Sequence, residues 1–151
     1  MNLDVQEMGP IDYMVFEFPG ARFSGKGLPL LIDLVDRRIV RILDMLFVRK
    51  LPDGSVMRIE LADRTDEDKE QLALFEGATS GLLDQGDIDA ATEVIEPGSA
   101  AGLIVFENRW AAPLATQLRR DGARMVASGR IPTQSILAAL DALEGAYREA
   151  G

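Results

Sequence analysis

The sequence contains neither cysteine nor histidine, and each absence excludes specific chemistry. Without cysteine there is no disulfide, no thiolate nucleophile and no cysteine-ligated zinc or iron–sulfur site. Without histidine the chain lacks the commonest general base and the commonest ligand of transition metals. The sequence therefore predicts no metal and no cofactor, and it favours a non-enzymatic role over an enzymatic one.

Long hydrophobic runs and an excess of positive charge are also missing. The apolar runs around Leu103 and Leu137 are far shorter than the ~18 residues of a membrane span, and residues 1–8 do not resemble a signal peptide. The net charge is -9 over 151 residues, whereas nucleic acids and anionic membranes attract basic surfaces. We therefore expect a cytoplasmic, one-domain protein that binds no nucleic acid and spans no membrane.

Two segments with the same order of elements organise the chain. Residues 11–50 read as a strand, a Pro-Gly turn, an amphipathic helix and a second strand, and residues 101–131 repeat that order. The tripeptide Val15-Phe16-Glu17 returns as Val105-Phe106-Glu107. Two such units predict an α+β fold, a ferredoxin-like duplicated split βαβ with both helices on one face of the sheet.

Further segments complete the predicted domain. The expected organisation of residues 1–151 is a loose arm at 1–9, a first half at 11–62, a helical insert at 63–98, a second half at 99–131 and a C-terminal helix at 132–148. Ile11–Phe18 is apolar on both faces, which predicts a central strand. Ser55–Leu61 follows a Pro-Asp-Gly turn and alternates, which predicts an extra hairpin strand at an edge.

Helical spacing identifies the remaining elements. The first helix should bury a stripe made of Leu30, Leu31, Leu34 and Val35. The insert, at about 64–96, predicts an acidic helix from Thr65 or Asp66 to about Leu83 and a second helix from about Asp87 to Ile95. Residues 123–128 predict the last strand, and the final helix follows Pro132.

Short matching pieces along most of the chain carry a family resemblance. They are Gly9-Pro10 through Phe23-Ser24-Gly25, Arg41-Ile42-Leu43-Asp44, Asp53-Gly54-Ser55, Glu96-Pro97-Gly98-Ser99-Ala100 and Trp110-Ala111-Ala112-Pro113. The chain resembles a family of small actinobacterial proteins of unknown function. That family is similar to a wider group described as predicted membrane proteins, which carries a glycine-rich hydrophobic insert. The insert here is acidic instead, and the resemblance implies a ferredoxin-like fold and no activity.

Five residues are candidates for a ligand-binding site, and none is predicted to be catalytic: Asp44, Glu17, Glu107, Tyr13 and Trp110. Paired carboxylates can perform acid–base chemistry, but adjacent antiparallel strands would hold Glu17 and Glu107 ~15–20 Å apart. Asp44 lies on an apolar strand, where a carboxylate needs partners. A structural ion pair with Arg41 or Arg22 is the expected arrangement. Trp110 is interpreted as a packing anchor rather than a stacking platform.

A second apolar face of the sheet suggests a function. Helices cover one face of such a sheet, and the other is expected to carry Tyr13, Val15, Met45, Phe47, Leu103 and Val105. We therefore predict a self-associating module, a homodimer or higher homo-oligomer, whose face-to-face dimer resembles the dimeric α+β barrel arrangement. Coverage of that face by the insert or the last helix would remove this argument.

Two other functions stay open at this point. One is a small-molecule binding protein or cofactor-independent enzyme of the dimeric α+β barrel type, with a pocket between the sheet and its helices. The other is a regulator that binds a protein partner through the acidic insert.

Overall fold

The computed structural model describes residues 4–22, 26–59 and 81–150. Its contacts divide the chain into two compact units, Met1–Asp121 and Gly122–Gly151, and each unit is described by itself. The first unit contains an antiparallel sheet with helices packed against it, which confirms the predicted α+β class. The single-domain organisation and its internal boundaries stay a prediction.

Four antiparallel strands form the sheet in the order β1-β4-β2-β3. Their bounds are Ile11–Phe18 for β1, Val40–Lys50 for β2, Val56–Arg58 for β3 and Ala100–Asn108 for β4. Strand β4 lies between β1 and β2 and pairs with both along most of its length. The middle of the sheet is therefore built from β4 and β2, and β1 and β3 are its two edges.

Strand β3 confirms the predicted edge hairpin, although it is shorter than the sequence suggested. The turn before it is closed by Asp53, whose Oδ1 accepts hydrogen bonds from the Ser55 backbone N–H at 2.9 Å and the Ser55 hydroxyl at 2.6 Å. These bonds hold the pKa of Asp53 below its ordinary value, and the bond from the Ser55 hydroxyl has the larger effect. The turn is thus built by local side-chain bonding rather than by burial.

The first helix, α1 (Gly27–Asp36), covers one face of the sheet, called here the α1 face. Pro29 occupies its first turn, where a missing N–H costs little. Leu28, Leu31, Ile32 and Val35 pack against Ile42 and Phe106 of the sheet, and they follow the i, i+3, i+4, i+7 spacing of one helical face. Leu30 lies off that stripe and is exposed, so its predicted burial was wrong.

The second helix, α2 (Gln85–Glu93), covers the opposite face, called the α2 face. A reciprocal capping box between Asp84 and Asp87 fixes its start, with both bonds at 2.9 Å. Ile88 and Ala91 then pack against Val48, Ala101 and Leu103. The second helix of the predicted insert is confirmed two residues early, while the acidic helix predicted before it falls largely on residues outside the described ranges.

A β-bulge at Leu43 decides which side chains of β2 share a face. Ile42 pairs with Phe106, but Asp44 pairs with Val105, so Leu43 is an extra residue in the ladder. Because alternation has a period of two, the extra residue moves every later side chain of β2 to the other face. Met45 thus lies opposite Ile104 on the α1 face, and the predicted grouping of Met45 and Phe47 with Leu103 was wrong.

Strand β1 is an edge strand, not the predicted central one. Its neighbour on one side is β4, and within the described residues no strand pairs with its other side. The expected neighbour in a ferredoxin-like sheet was the last strand, but residues 123–128 are neither strand nor helix. Apolar alternation alone does not make a strand, because a strand also needs hydrogen bonds from a neighbour.

Residues 4–9, which belong to the segment predicted as a loose arm, make specific contacts within the first unit. Val5–Glu7 form a 3₁₀ turn capped by Asp4, and Met8 is buried beside Leu43 and Val105. Helix α3 (Ala112–Arg120) supplies Arg119, whose guanidinium donates to the Gln6 carbonyl at 2.9 Å and to the Met8 carbonyl. The chain before β1 thus lies against α3 and the α2 face.

The second unit contains helix α4, Thr133–Ala150, which confirms the predicted C-terminal helix. The unit begins at Gly122, which follows the end of α3 and has φ of 85°, a backbone conformation suited to a glycine at that position. Among the helices of the described ranges, none has the length and apolar content needed to cross a membrane.

Candidate functional site

Glu107 is a buried carboxylate at the end of β4. The residue is 3% exposed, and Oε2 accepts a hydrogen bond from the Gly9 backbone N–H at 2.9 Å. Oε1 lies 3.5 Å from Nε of Arg41, the residue directly opposite on β2. That ion pair is too long for a hydrogen bond, and Oε1 has no other partner among the described residues. A buried carboxylate oxygen without a hydrogen bond is unusual.

Asp44 is the second buried carboxylate, and the bulge places it. Its side chain accepts a hydrogen bond from its neighbour Met45 N–H at 3.0 Å and from the Leu83 N–H at 2.9 Å. The residue is 5% exposed. The predicted ion pair with Arg41 or Arg22 was wrong, because Arg41 pairs with Glu107 and two backbone N–H groups satisfy Asp44 instead. Leu83, just before α2, is thereby fixed to the sheet.

The two buried carboxylates share the α2 face. Asp44 on β2 is opposite Val105 on β4, and Glu107 lies two residues after Val105 on β4. Diagonal neighbours of this kind have Cβ atoms roughly 7–8 Å apart. The arrangement brings together two carboxylates and one guanidinium, and most of their bonding goes to backbone groups of Gly9, Met45 and Leu83. It can anchor loops, and its free acceptor is the Oε1 atom of Glu107.

Glu17 is far from this cluster. In the β1–β4 ladder Ile11 is opposite Glu107, whereas Glu17 is opposite Ala101. Six residues at about 3.3 Å each separate the two glutamates by roughly 20 Å, in line with the predicted separation. The Glu17 carboxylate accepts a hydrogen bond from the Glu96 backbone N–H at 2.7 Å, so it fastens the loop between α2 and β4.

The two aromatic candidates are both exposed. Tyr13 is 75% exposed on the α2 face of β1, and Trp110 is 67% exposed just before α3. The Trp110 indole N–H donates to the Asn108 side chain at 3.2 Å. Its exposure contradicts the interpretation of Trp110 as a packing anchor. Neither aromatic belongs to the Asp44–Glu107 cluster.

Sequence reasoning missed Gly9 as a partner of the site. A methyl group added at Gly9 would lie 2.1 Å from the Asn108 carbonyl oxygen and 3.1 Å from the Ala112 nitrogen. A glycine is therefore required where this segment crosses the end of β4. The Gly9-Pro10 dipeptide was a signal, but it reads equally well as a simple turn.

The described residues contain no cluster of three or more carboxylates arranged to hold a metal ion. A family model described as "Family of unknown function (DUF6325)" matches residues 7–148. No curated protein and no solved structure matches this chain. The match agrees with the expected resemblance to a family of unknown function. Actinobacterial origin and the relation to a wider membrane-protein group stay predictions.

Proposed function

We propose that this chain, which belongs to this family of unknown function over residues 7–148, is a non-enzymatic, self-associating α+β module. Membership of the family assigns it no activity. The carrying observation is the apolar surface of β1. Tyr13 on the α2 face and Phe16 on the α1 face are 75% and 52% exposed, and Ile11 and Val15 are also exposed. One edge strand thus presents apolar side chains to solvent on both of its faces.

This surface replaces the broader face-to-face interface expected from the sequence. Helix α2 packs on Val48, Ala101 and Leu103, and Met8 and Leu43 pack on Val105, so the middle of the α2 face is covered. Tyr13 and Val15 lie beyond that cover. An exposed, long, apolar edge strand is a site where proteins pair with other chains. A second copy of the same chain is the proposed partner.

The buried carboxylates support a structural role over a catalytic one. Asp44 and Glu107 hold Leu83 and Gly9 through backbone hydrogen bonds. A general acid or base needs a proton-transfer partner within reach of a substrate, whereas these groups are occupied in fixing loops. The absence of cysteine and histidine removes the thiolate nucleophile and the commonest general base.

The proposal includes three of the four strands of a ferredoxin-like plan and a cytoplasmic location. Support for the plan comes from β1, β4 and β2, which lie side by side and antiparallel, with α1 following β1 and α3 following β4. The proposed location rests on the composition, which contains no cysteine.

Light scattering coupled to size exclusion tests the proposed self-association. We expect the wild-type chain to elute with twice the mass of a single chain and to dissociate on dilution. Val15→Lys should raise the dissociation constant at least tenfold, about 1.4 kcal/mol, because it places a charge in the apolar surface of β1. Val56→Lys on β3 is the matched control, since Val15 and Val56 are similarly exposed, at 36% and 40%.

Unchanged circular dichroism melting of both variants shows that neither change unfolds the chain. Equal dissociation constants for the two variants would contradict the assignment of the interface to β1, and a monomeric wild type would contradict self-association itself.

A small-molecule binding protein is the second candidate, and one observation favours it. Oε1 of Glu107 is buried without a hydrogen bond, and a donor group of a ligand would satisfy it. Native mass spectrometry of protein purified from its own host should then show a reproducible added mass that Glu107→Gln reduces and Glu17→Gln leaves in place. A bare chain, or an added mass indifferent to Glu107→Gln, would contradict this candidate.

A further inference from the structure

The outer edge of β1 carries a regular set of backbone groups. Pro10 and Asn108 are opposite each other, and the Asn108 N–H donates to the Pro10 carbonyl at 2.8 Å. Hydrogen-bonded and non-bonded pairs alternate along an antiparallel ladder, so the even-numbered residues of β1 bond to β4. The N–H and C=O groups of Ile11, Tyr13, Val15 and Glu17 therefore point away from β4, toward the open edge.

The two edges of the sheet differ in how they are protected. Strand β3 has three residues and ends in Arg58, and short edges with cations resist pairing with other chains. Strand β1 has eight residues and contains neither proline nor a cation. Its length and composition leave it able to accept another strand, while β3 is unsuited to that role.

From this asymmetry, and resting on the proposed self-association, we infer that two copies pair β1 to β1 in antiparallel register about a two-fold axis at Met14. The two four-stranded sheets then form one continuous sheet of eight strands. A two-fold axis perpendicular to the sheet keeps the α2 faces of both copies on the same side. Odd-numbered residues must therefore pair with odd-numbered ones, which agrees with the outward direction of their backbone groups.

The side chains of β1 select this register. With the axis at Met14, Tyr13 lies opposite the partner's Val15, an aromatic and β-branched pair that stabilises antiparallel strands. Asp12 lies opposite the partner's Phe16, and Glu17 lies opposite the partner's Ile11. No two acidic side chains are opposed, which matters in a chain of net charge -9.

Other registers are less favourable. An axis at Asp12 or at Glu17 would place like charges directly opposite each other, which destabilises a strand pair. An axis at Tyr13 would pair only residues 11–15 of β1, and an axis at Val15 would place Tyr13 opposite the partner's Glu17. The axis at Met14 pairs residues 11–17 of both copies and opposes apolar side chains at the centre.

Disulfide cross-linking tests the register cleanly, because the chain has no cysteine of its own. Met14 would face its own symmetry copy in a non-hydrogen-bonded pair with Cα atoms about 4.5 Å apart, within the ~4.4–6.8 Å range for a disulfide. We expect oxidised Met14→Cys to run as a covalent dimer. Phe16→Cys is the control, since its two copies would be four residues out of register, roughly 13 Å apart along the strands.

Hydrogen exchange on the wild-type chain keeps the inference testable if Met14→Cys does not fold. The amides of Tyr13 and Val15 should be protected from exchange at high protein concentration and lose protection on dilution. Exchange that is fast at every concentration, in a protein whose mass is that of a dimer, would overturn the inferred pairing.

The failures of the two proposals are distinguishable. A dimeric mass with cross-linking at residue 16 instead of residue 14 overturns the register and leaves self-association standing. A monomeric mass overturns both. A Met14→Cys, Val126→Cys chain whose two different cysteines join would assign the edge to residues 123–128 and would also overturn the inferred pairing.

Discussion

Gly9 shows how a single hydrogen atom in place of a side chain determines the path of the chain. The backbone here passes so close to the end of β4 that a methyl group would lie 2.1 Å from the Asn108 carbonyl oxygen. That oxygen belongs to the backbone of a central strand, so the N-terminal segment has to move instead. The movement would break the bond from Gly9 N–H to Glu107.

We predict that Gly9→Ala lowers the free energy of unfolding by roughly 1–3 kcal/mol. Urea denaturation followed by circular dichroism measures it. Gly27→Ala is the control, because a methyl group at Gly27, the first residue of α1, meets no atom within 4 Å. Equal stability of the two variants would show that the close approach at Gly9 does not exist in solution.

Arg41 compensates the buried charge of Glu107. Removing the guanidinium alone leaves a buried carboxylate without its ion partner, whereas removing both charges does not. We predict that Arg41→Met costs roughly 1–3 kcal/mol of unfolding free energy, and that adding Glu107→Gln recovers part of this loss. The amide of glutamine keeps an acceptor for the Gly9 N–H. Denaturation of both single variants and the double variant measures the coupling, and strictly additive losses would refute the pair.

At the residue scale, the sequence predicted which residues lie in strands better than it predicted which of them are buried. The tripeptides ending in Glu17 and Glu107 are identical and both lie in strands, as predicted. Glu107 is nevertheless buried, because its strand is central and the segment before β1 covers it. Glu17 lies on an edge strand and is exposed. Neighbours that are distant in the sequence made this difference, and a local pattern does not contain them.

At the element scale, the end of α1 is strained in a specific way. Arg38 has φ of 57°, in the left-handed region, and the Ile39 N–H donates to the Leu34 carbonyl at 3.0 Å. This geometry is the helix C-terminal motif that normally contains glycine, because a Cβ is unfavourable there. Arg38 is therefore held in a backbone conformation that is unfavourable for a residue with a Cβ atom.

We predict that Arg38→Gly raises the unfolding free energy by roughly 0.5–1 kcal/mol, since relief of the left-handed strain exceeds the added freedom of the unfolded chain. Arg37→Gly removes the same charge at a residue with φ of -79° and should be destabilising. Thermal denaturation of the two variants compares them. A melting temperature that falls equally in both would contradict a left-handed Arg38.

The bulge at Leu43 explains why the predicted second apolar face was wrong although β1, β2, β3 and β4 lie where strands were predicted. Helix α1, the β2–β3 hairpin, the second insert helix and α4 all lie within a few residues of their predicted positions. Periodicity identifies such elements. It does not reveal an extra residue in a ladder, because a bulge depends on the hydrogen bonding between two strands. This bulge places Met45 and Phe47 on the face opposite to the predicted one.

At the scale of the whole molecule, the edge strand β1 gives the proposed function its physical basis. Its apolar side chains predicted a central strand, and the first unit places it at the edge of a four-stranded sheet. The proposed self-association, which the sequence also predicts, would place the β1 strand of a second copy beside this edge.

Sedimentation equilibrium of the wild-type chain, run over a wide range of concentrations, tests self-association most directly. We predict a reversible equilibrium between one chain and two, with the dimer dominant at the higher concentrations. A single-chain mass at every concentration would contradict the proposed function, and with it the inferred pairing of β1 with itself.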